Sequence, residues 1–190
     1  MQNRCDAVRM TEDYLSRYQE ILDNMICGMT HASLTDSISH NFIVQMIPHH
    51  LGAIGMSYNI LRFSRWEPVR EIAEGIISAQ MASIGDMMAV LPCCSGWKNH
   101  PAQNRCYNRK QQEISRTMFA EMRQACADEN LNADFMREMI PHHQGAVKMS
   151  QNAMRFPICR ELLGILDEII RSQCEGIRRM EELLENSDCH

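Results

Sequence analysis

The chain has 190 residues, 45% of them apolar, with 19 Lys and Arg against 24 Asp and Glu and a formal charge of −5. That is enough for one domain with a sizeable core, spanning 1–190, and too little for two independent ones. No basic run supports a nucleic-acid surface, and no apolar run reaches the roughly 18 residues that a membrane span needs.

In chain order, the opening MQNRCDAVRM lacks the basic start and apolar stretch of a secretory signal. The chain as given is therefore expected in the cytoplasm, or exported if a leader has been removed. After the start signal Thr11-Glu12-Asp13, the residues Tyr14, Tyr18, Ile21, Met25 and Met29 recur at helical spacing and predict a first helix. A second runs from about Thr35-Asp36-Ser37 to Phe63. A third opens at Glu67-Pro68 and carries Ile72, Ile76, Ile77, Gln80, Ile84 and Met87 to about Leu91. Cys93 to Pro101, punctuated by Ser-Gly and His-Pro, reads as the connector to three further helices near 104–127, 132–156 and 160–186. Strand-like alternation is absent, so the fold class is all-α.

These two sets of three helices are copies. MIPHHLGAIGMS at Met46 to Ser57 returns as MIPHHQGAVKMS at Met139 to Ser150, at an offset of 93. The same offset brings Tyr14, Met25 and Met29 onto Tyr107, Met118 and Met122, and Asn59, Phe63, Gln80 and Met87 onto Asn152, Phe156, Gln173 and Met180. No gap is needed, so repeats of about 1–95 and 96–190 should have the same element lengths.

On the second helix, Phe42, Met46, His49, Ala53, Met56, Ile60 and Phe63 follow alternating steps of four and three, the spacing of a face turned to a partner helix. Beside it run Ile43, Ile47, His50, Ile54 and Leu61. In the second copy the lines are Phe135, Met139, His142, Ala146, Met149 and Phe156, with Met136, Ile140, His143, Val147 and Met154 alongside. All four histidines are thus expected in the core. Buried imidazoles need partners, and crowding disfavours their protonated forms. Metal ligation through one ring nitrogen, with the other held by an acceptor, meets that need. The thioethers of Met46, Met56, Met139 and Met149 share the face, and imidazole with thioether favours Cu(I), or Ag(I) as its mimic, over Mg, Ca or Mn. One copy cannot close such a site, but two packed together can pool their histidines.

Gln80 and Gln173 interrupt the apolar face of the third helices at matching places. A buried amide there predicts a hydrogen bond to an imidazole or to a carbonyl freed by Pro48 or Pro141, which bend the helices beside the histidines. Met87 and Met180 lie two turns further on, and these four residues form the expected supporting shell. Met25, Met29, Met118 and Met122 are read as core packing. His31, His40, His100 and His190 have no counterparts and are read as surface residues. The nine cysteines lack any C-x-x-C pair and mostly do not recur at the offset: Cys27 meets Ala120, Cys126 meets Ser33 and Cys159 meets Trp66. Most are therefore read as reduced, buried apolar residues, with the vicinal pair Cys93-Cys94 as an exposed exception.

The motif M-I-x-H-H-x-x-A-[IV]-x-M followed by Q-x-x-x-I-x-x-M, in duplicate, resembles the bacterial family catalogued as domain of unknown function 305. Its residues here are Met46, Ile47, His49, His50, Ala53, Ile54 and Met56 with Gln80, Ile84 and Met87. The second set is Met139, Ile140, His142, His143, Ala146, Val147 and Met149 with Gln173, Ile177 and Met180. The resemblance implies a ferritin-like four-helix bundle made of two helix pairs, and copper binding in some members. Most of the family is exported, from which this chain departs in showing no leader.

The expected function is to sequester or deliver a soft monovalent ion, Cu(I), without turnover, as a copy-paired protein that can also self-associate or hand its ion to a partner. A di-iron oxidase would need paired Glu and Glu-x-x-His sets, whereas Met46 and Met139 stand three before the histidines. A zinc hydrolase would need a carboxylate base, and the nearest upstream candidate, Glu138, is Gln45 in the other copy. The alternative is a non-catalytic interaction or structural protein whose His and Met face is packed core or a peptide groove.

Overall fold

A computed structural model of the chain describes residues 2–125 and 130–187, with side chains over 8–125 and 130–186. It contains α1 (Gln2–Thr30), α2 (Ile38–Leu61), α3 (Glu67–Gly96), α4 (Pro101–Gln124), α5 (Leu131–Ala153) and α6 (Arg160–Ser187), an all-α bundle. α2 packs on α3, α3 on α6, α6 on α5 and α5 on α2, which closes a ring of four helices; α1 lies against α2 from outside and α4 against α5.

Capping fixes where these helices begin. Ser37 accepts the His40 N–H at the start of α2, and Asn130 accepts from the N–H groups of Asn132 and Ala133 at the start of α5. α4 opens with Pro101 at its first turn and a reciprocal capping box between His100 and Gln103. His100 is thus an exposed residue with a structural task.

Several boundaries differ from those expected. α1 begins at Gln2 rather than near Thr11, because no helix breaker precedes the polar triplet. α3 does not stop at Leu91: it passes through Pro92 and both vicinal cysteines to Gly96, so the connector shrinks to Trp97–His100. The predicted end of the fourth helix, at 127, lies outside the described residues. α3 also corrects the hydropathy reading. By length and composition it is apolar enough to cross a membrane, with mean hydropathy 1.4 over its best window, because Gly, Ala, Ser and Met dilute its few charges. Its pairing with α2 and α6 makes it a wall of the bundle.

Matching positions of the two halves make matching contacts. Tyr14 meets Phe63 edge-on at 6.1 Å and Tyr107 meets Phe156 at 6.0 Å. Asn59 donates to the Tyr14 carbonyl at 2.9 Å and Asn152 to that of Tyr107 at 3.3 Å. Glycine sets the docking distance of the outer helices. A Cβ on Gly52 would stand 2.6 Å from the Met25 sulfur, and one on Gly145 would collide with Met118. All four methionines read as packing, Met25, Met29, Met118 and Met122, are buried.

Candidate functional site

The two seams meet where α2 faces α5. Phe42, Met46, His49, Ala53, Met56 and Ile60 are buried, as are Phe135, Met139, His142, Ala146 and Met149. The seam frays at its ends, where Phe63 and Phe156 are half-buried; the line beside it is less buried, with Ile47, Ile54, Leu61, Ile140 and Val147 half-buried and Met154 exposed.

All four imidazoles lie in this interior, each at most 2% exposed. The inner two, His49 and His142, stack with ring centroids 3.7 Å apart and planes tilted by 32°. His50 and His143 flank them, at 5.9 and 5.8 Å from their sequence neighbours. Nε2 of His142 donates to the His49 carbonyl at 3.0 Å, which places its proton on that nitrogen and leaves Nδ1 with a lone pair. Nε2 of His50 shares a 3.0 Å hydrogen bond with Ser83 Oγ.

Among the described residues Nδ1 of His50 and of His142 have no partner, and the ring nitrogens of His49 and Nδ1 of His143 make no well-formed hydrogen bond, those two rings having only weaker contacts with the backbone of His142 and of Met139. Burial, and then neighbouring imidazoles, hold His49 and His143 well below the usual histidine range. Burial, then His142, lowers His50 to about 3, while His142 itself falls to about 4 by burial, opposed by its bond to the His49 carbonyl. At neutral pH all four rings are neutral and nucleophilic.

The rings do not converge on one point. Among the described residues, no three histidines bring a ring nitrogen each within 4.8 Å of one another. The outer rings instead reach two clefts between α3 and α6. His50 lines one of about 220 Å³ together with Ser83 and Asp86; His143 lines another of about 190 Å³ together with Gly176 and Glu175. Gln80 and Gln173 border both. Neither expected glutamine bond forms at Gln80, whose amide nitrogen and oxygen both lack partners, and Oε1 of Gln173 lacks one too. Met87 and Met180 are fully buried in the core cluster.

Two groups escaped the sequence reading. Glu138 is buried and accepts a 2.6 Å hydrogen bond from Tyr14, 124 residues away. Burial raises its pKa to about 8, with Asp134 adding to the rise and the Tyr14 bond opposing it. The other half carries Gln45 at the matching position, so the repeat gives this carboxylate no weight. The second group is the cysteines. Among the described residues Cys27, Cys93 and Cys174 are exposed, whereas Cys94 and Cys159 are buried, which overturns the expectation of mostly buried thiols with an exposed vicinal pair. Cys126 lies outside the described residues, as does His190. Cys93, Cys159 and Glu161 bring three ligand atoms within 4.8 Å of one another. No C-x-x-C spacing announces this cluster, because it forms between the end of α3 and the start of α6. His40 also differs from a plain surface residue: half-buried, it bonds Ser95 Oγ and the Ser33 carbonyl.

The sequence pattern of DUF305, a domain of unknown function, matches residues 39–184, through both His-His motifs. The chain belongs to the DUF305 family. A crystal structure of a DUF305 fragment from Deinococcus radiodurans is similar, with 26% identity and a TM-score of 0.58, covering 82% of this chain and 98% of that one. No curated protein matches the chain. DUF305 membership thus carries a fold and a motif, and leaves the chemistry to be argued from the residues.

Proposed function

We propose that this DUF305 protein binds a soft monovalent ion, Cu(I), in the α2–α5 histidine layer. Its two or three ligands would be drawn from His49, His50, His142 and His143, with the thioethers of Met46, Met56, Met139 and Met149 on the same face. The observation that carries the reading is the set of buried, neutral imidazoles with unpartnered ring nitrogens, above all the His142 Nδ1 lone pair. A buried polar atom left without a partner costs about 1–3 kcal/mol, and this layer concentrates several. Among the described residues no three histidines bring a ring nitrogen each within 4.8 Å of one another, which argues against a tetrahedral Zn²⁺ site there and for an ion content with two or three ligands. Bound there, the ion would be sequestered or passed on rather than used in turnover. The clefts at His50 and His143 give the layer two approaches, bordered by Gln80 and Gln173. The protein's surroundings would be reducing, in keeping with its free thiols.

The test is a competitive titration of the reduced protein with a Cu(I) chelator, combined with X-ray absorption at the copper edge. Stoichiometric binding with imidazole scattering is expected, weakened by more than about 100-fold in a variant with alanine at His49, His50, His142 and His143. Because that variant can lose its fold, the near-isosteric Met46→Leu/Met139→Leu variant supplies a second reading, with weakened binding and intact helicity. Binding no tighter than to an unrelated methionine-rich helical protein, or a purely thiolate copper environment, overturns the proposal. The packed-core alternative draws on the His49–His142 stack and the two hydrogen bonds already made within the layer, and it predicts that outcome.

A further inference from the structure

A second cluster, at one end of the bundle, shares no residue with the histidine layer. Cys93 stands near the end of α3; Cys159 and Glu161 stand at the start of α6. The Cys159 sulfur lies 3.7 Å from that of Cys93 and 2.9 Å from Oε2 of Glu161. Cys94 is within hydrogen-bonding range of the Cys159 thiol. The strand of chain that presents Cys159 is pinned from three sides. Trp97 Nε1 and Asn99 Nδ2 donate to the Pro157 carbonyl at 3.2 and 2.6 Å, and the Cys159 N–H donates to the buried Ser39 hydroxyl at 2.9 Å.

The geometry points to a site for a thiophilic divalent cation of the Zn²⁺ class, held by the Cys93 and Cys159 thiolates and the Glu161 carboxylate. Two sulfurs each about 2.3 Å from a tetrahedral ion stand about 3.8 Å apart, so the thiol pair is already spaced as one edge of the coordination polyhedron. The carboxylate decides the class: a hard oxygen beside two sulfurs suits borderline Zn²⁺, whereas Cu(I) gains nothing from it. Two thiolates and a carboxylate also outweigh the ion's charge, and Cys94 stands ready as a further sulfur. Entry is open, because Cys93 faces solvent while Cys159 is buried. Binding displaces one proton from each thiol to solvent, with no electron transfer. The ion would clamp the last turns of α3 to the first turn of α6, closing the bundle at the end away from any sequence motif.

The reduced full-length chain, stripped of metal, is titrated with Zn²⁺ against a chromophoric chelator and with Co²⁺ by absorption spectroscopy. One ion per chain and a thiolate-to-cobalt charge-transfer band in the near ultraviolet are expected. Cys93→Ser, at an exposed position that leaves packing intact, should remove the band and weaken Zn²⁺ binding by more than about 100-fold. Glu161→Gln should weaken it while keeping the band. Cys27→Ser and Cys174→Ser should leave both unchanged, which separates this site from the other exposed thiols. No binding by the reduced chain, a cobalt spectrum without a sulfur band, or loss of the band in the Cys27 or Cys174 variants in place of Cys93→Ser overturns the proposal.

Discussion

The two halves of this bundle agree in what they pack and disagree in what they bond. Tyr14 and Tyr107 meet Phe63 and Phe156 edge-on in the same way, yet the Tyr14 hydroxyl reaches Glu138 while that of Tyr107 has no partner among the described residues. His50 is anchored by Ser83, whereas the matching residue beside His143 is Gly176, whose bare Cα lets α6 approach the ring. Apolar contacts tolerate little change in volume and so hold both halves to one pattern. Polar partners can be exchanged one at a time, and the site has become asymmetric through them.

The largest effect separating these regions should appear with pH. The metal-free histidine layer, common to both halves, resists protonation: His142 titrates at about 6.5 unfolded and about 4 folded. Its contribution is present above 6.5 and is lost as pH falls through the folded value, about 3 kcal/mol from this residue alone at roughly 1.4 kcal/mol per unit. His50, lowered to about 3, adds to the loss. Glu138, present in one half only, works the other way. Raised from 4.5 to about 8, it stabilises the fold fully below 4.5, and that contribution is lost as pH rises through 8. Urea unfolding across this range should therefore show a stability maximum near pH 6.5, with a steep acid limb and a shallow alkaline one. Glu138→Gln, which makes the halves alike at this position, should flatten the alkaline limb and steepen the acid limb between pH 4.5 and 6.5, where the glutamate opposes the histidines. A profile level down to pH 4 would mean that the rings are hydrated or already protonated.

Next in size is the docking of the outer helices. Gly145→Ala should cost about 1–3 kcal/mol and Gly52→Ala less, because the added methyl at Gly145 meets the Met118 sulfur even closer than that at Gly52 meets Met25. Thermal unfolding of the two variants measures the difference. Equal costs would show that Met25 and Met118 yield equally well and that the two outer helices are held with the same rigidity.

What the sequence made legible was whatever repeats. The four-and-three spacing on α2 and α5 is dictated by burial, so it located the helices, the seam and all four histidines, from Met46 through Met149. Comparing copies is blind to residues that occur once. Glu138 looked dispensable beside Gln45, and its partner Tyr14 sits on a helix far away in sequence. The cysteine cluster depends on how the end of α3 meets the start of α6, which no local pattern encodes. Local signals misled at α1 and α3 for a related reason: a polar triplet at Thr11 and the Ser95-Gly96 pair are each compatible with a continuing helix.

The smallest effect is also the most direct probe of the asymmetry at the site. Ser83→Ala removes the hydroxyl from His50 Nε2 and leaves the first half, like the second at Gly176, without a hydrogen-bonding side chain at this position. The lost hydrogen bond should cost about 1 kcal/mol, since His50 is buried and nothing else described reaches that nitrogen. Nitrogen NMR of the imidazoles reads the same change at the atom concerned: the His50 Nε2 resonance should shift while those of His142, bonded to the His49 carbonyl, stay in place. If Ser83→Ala instead leaves stability and the His50 resonance unaltered, the serine does not orient that ring. The two outer histidines would then be equivalent ligands, and the difference between Ser83 and Gly176 would reflect only how closely each third helix approaches.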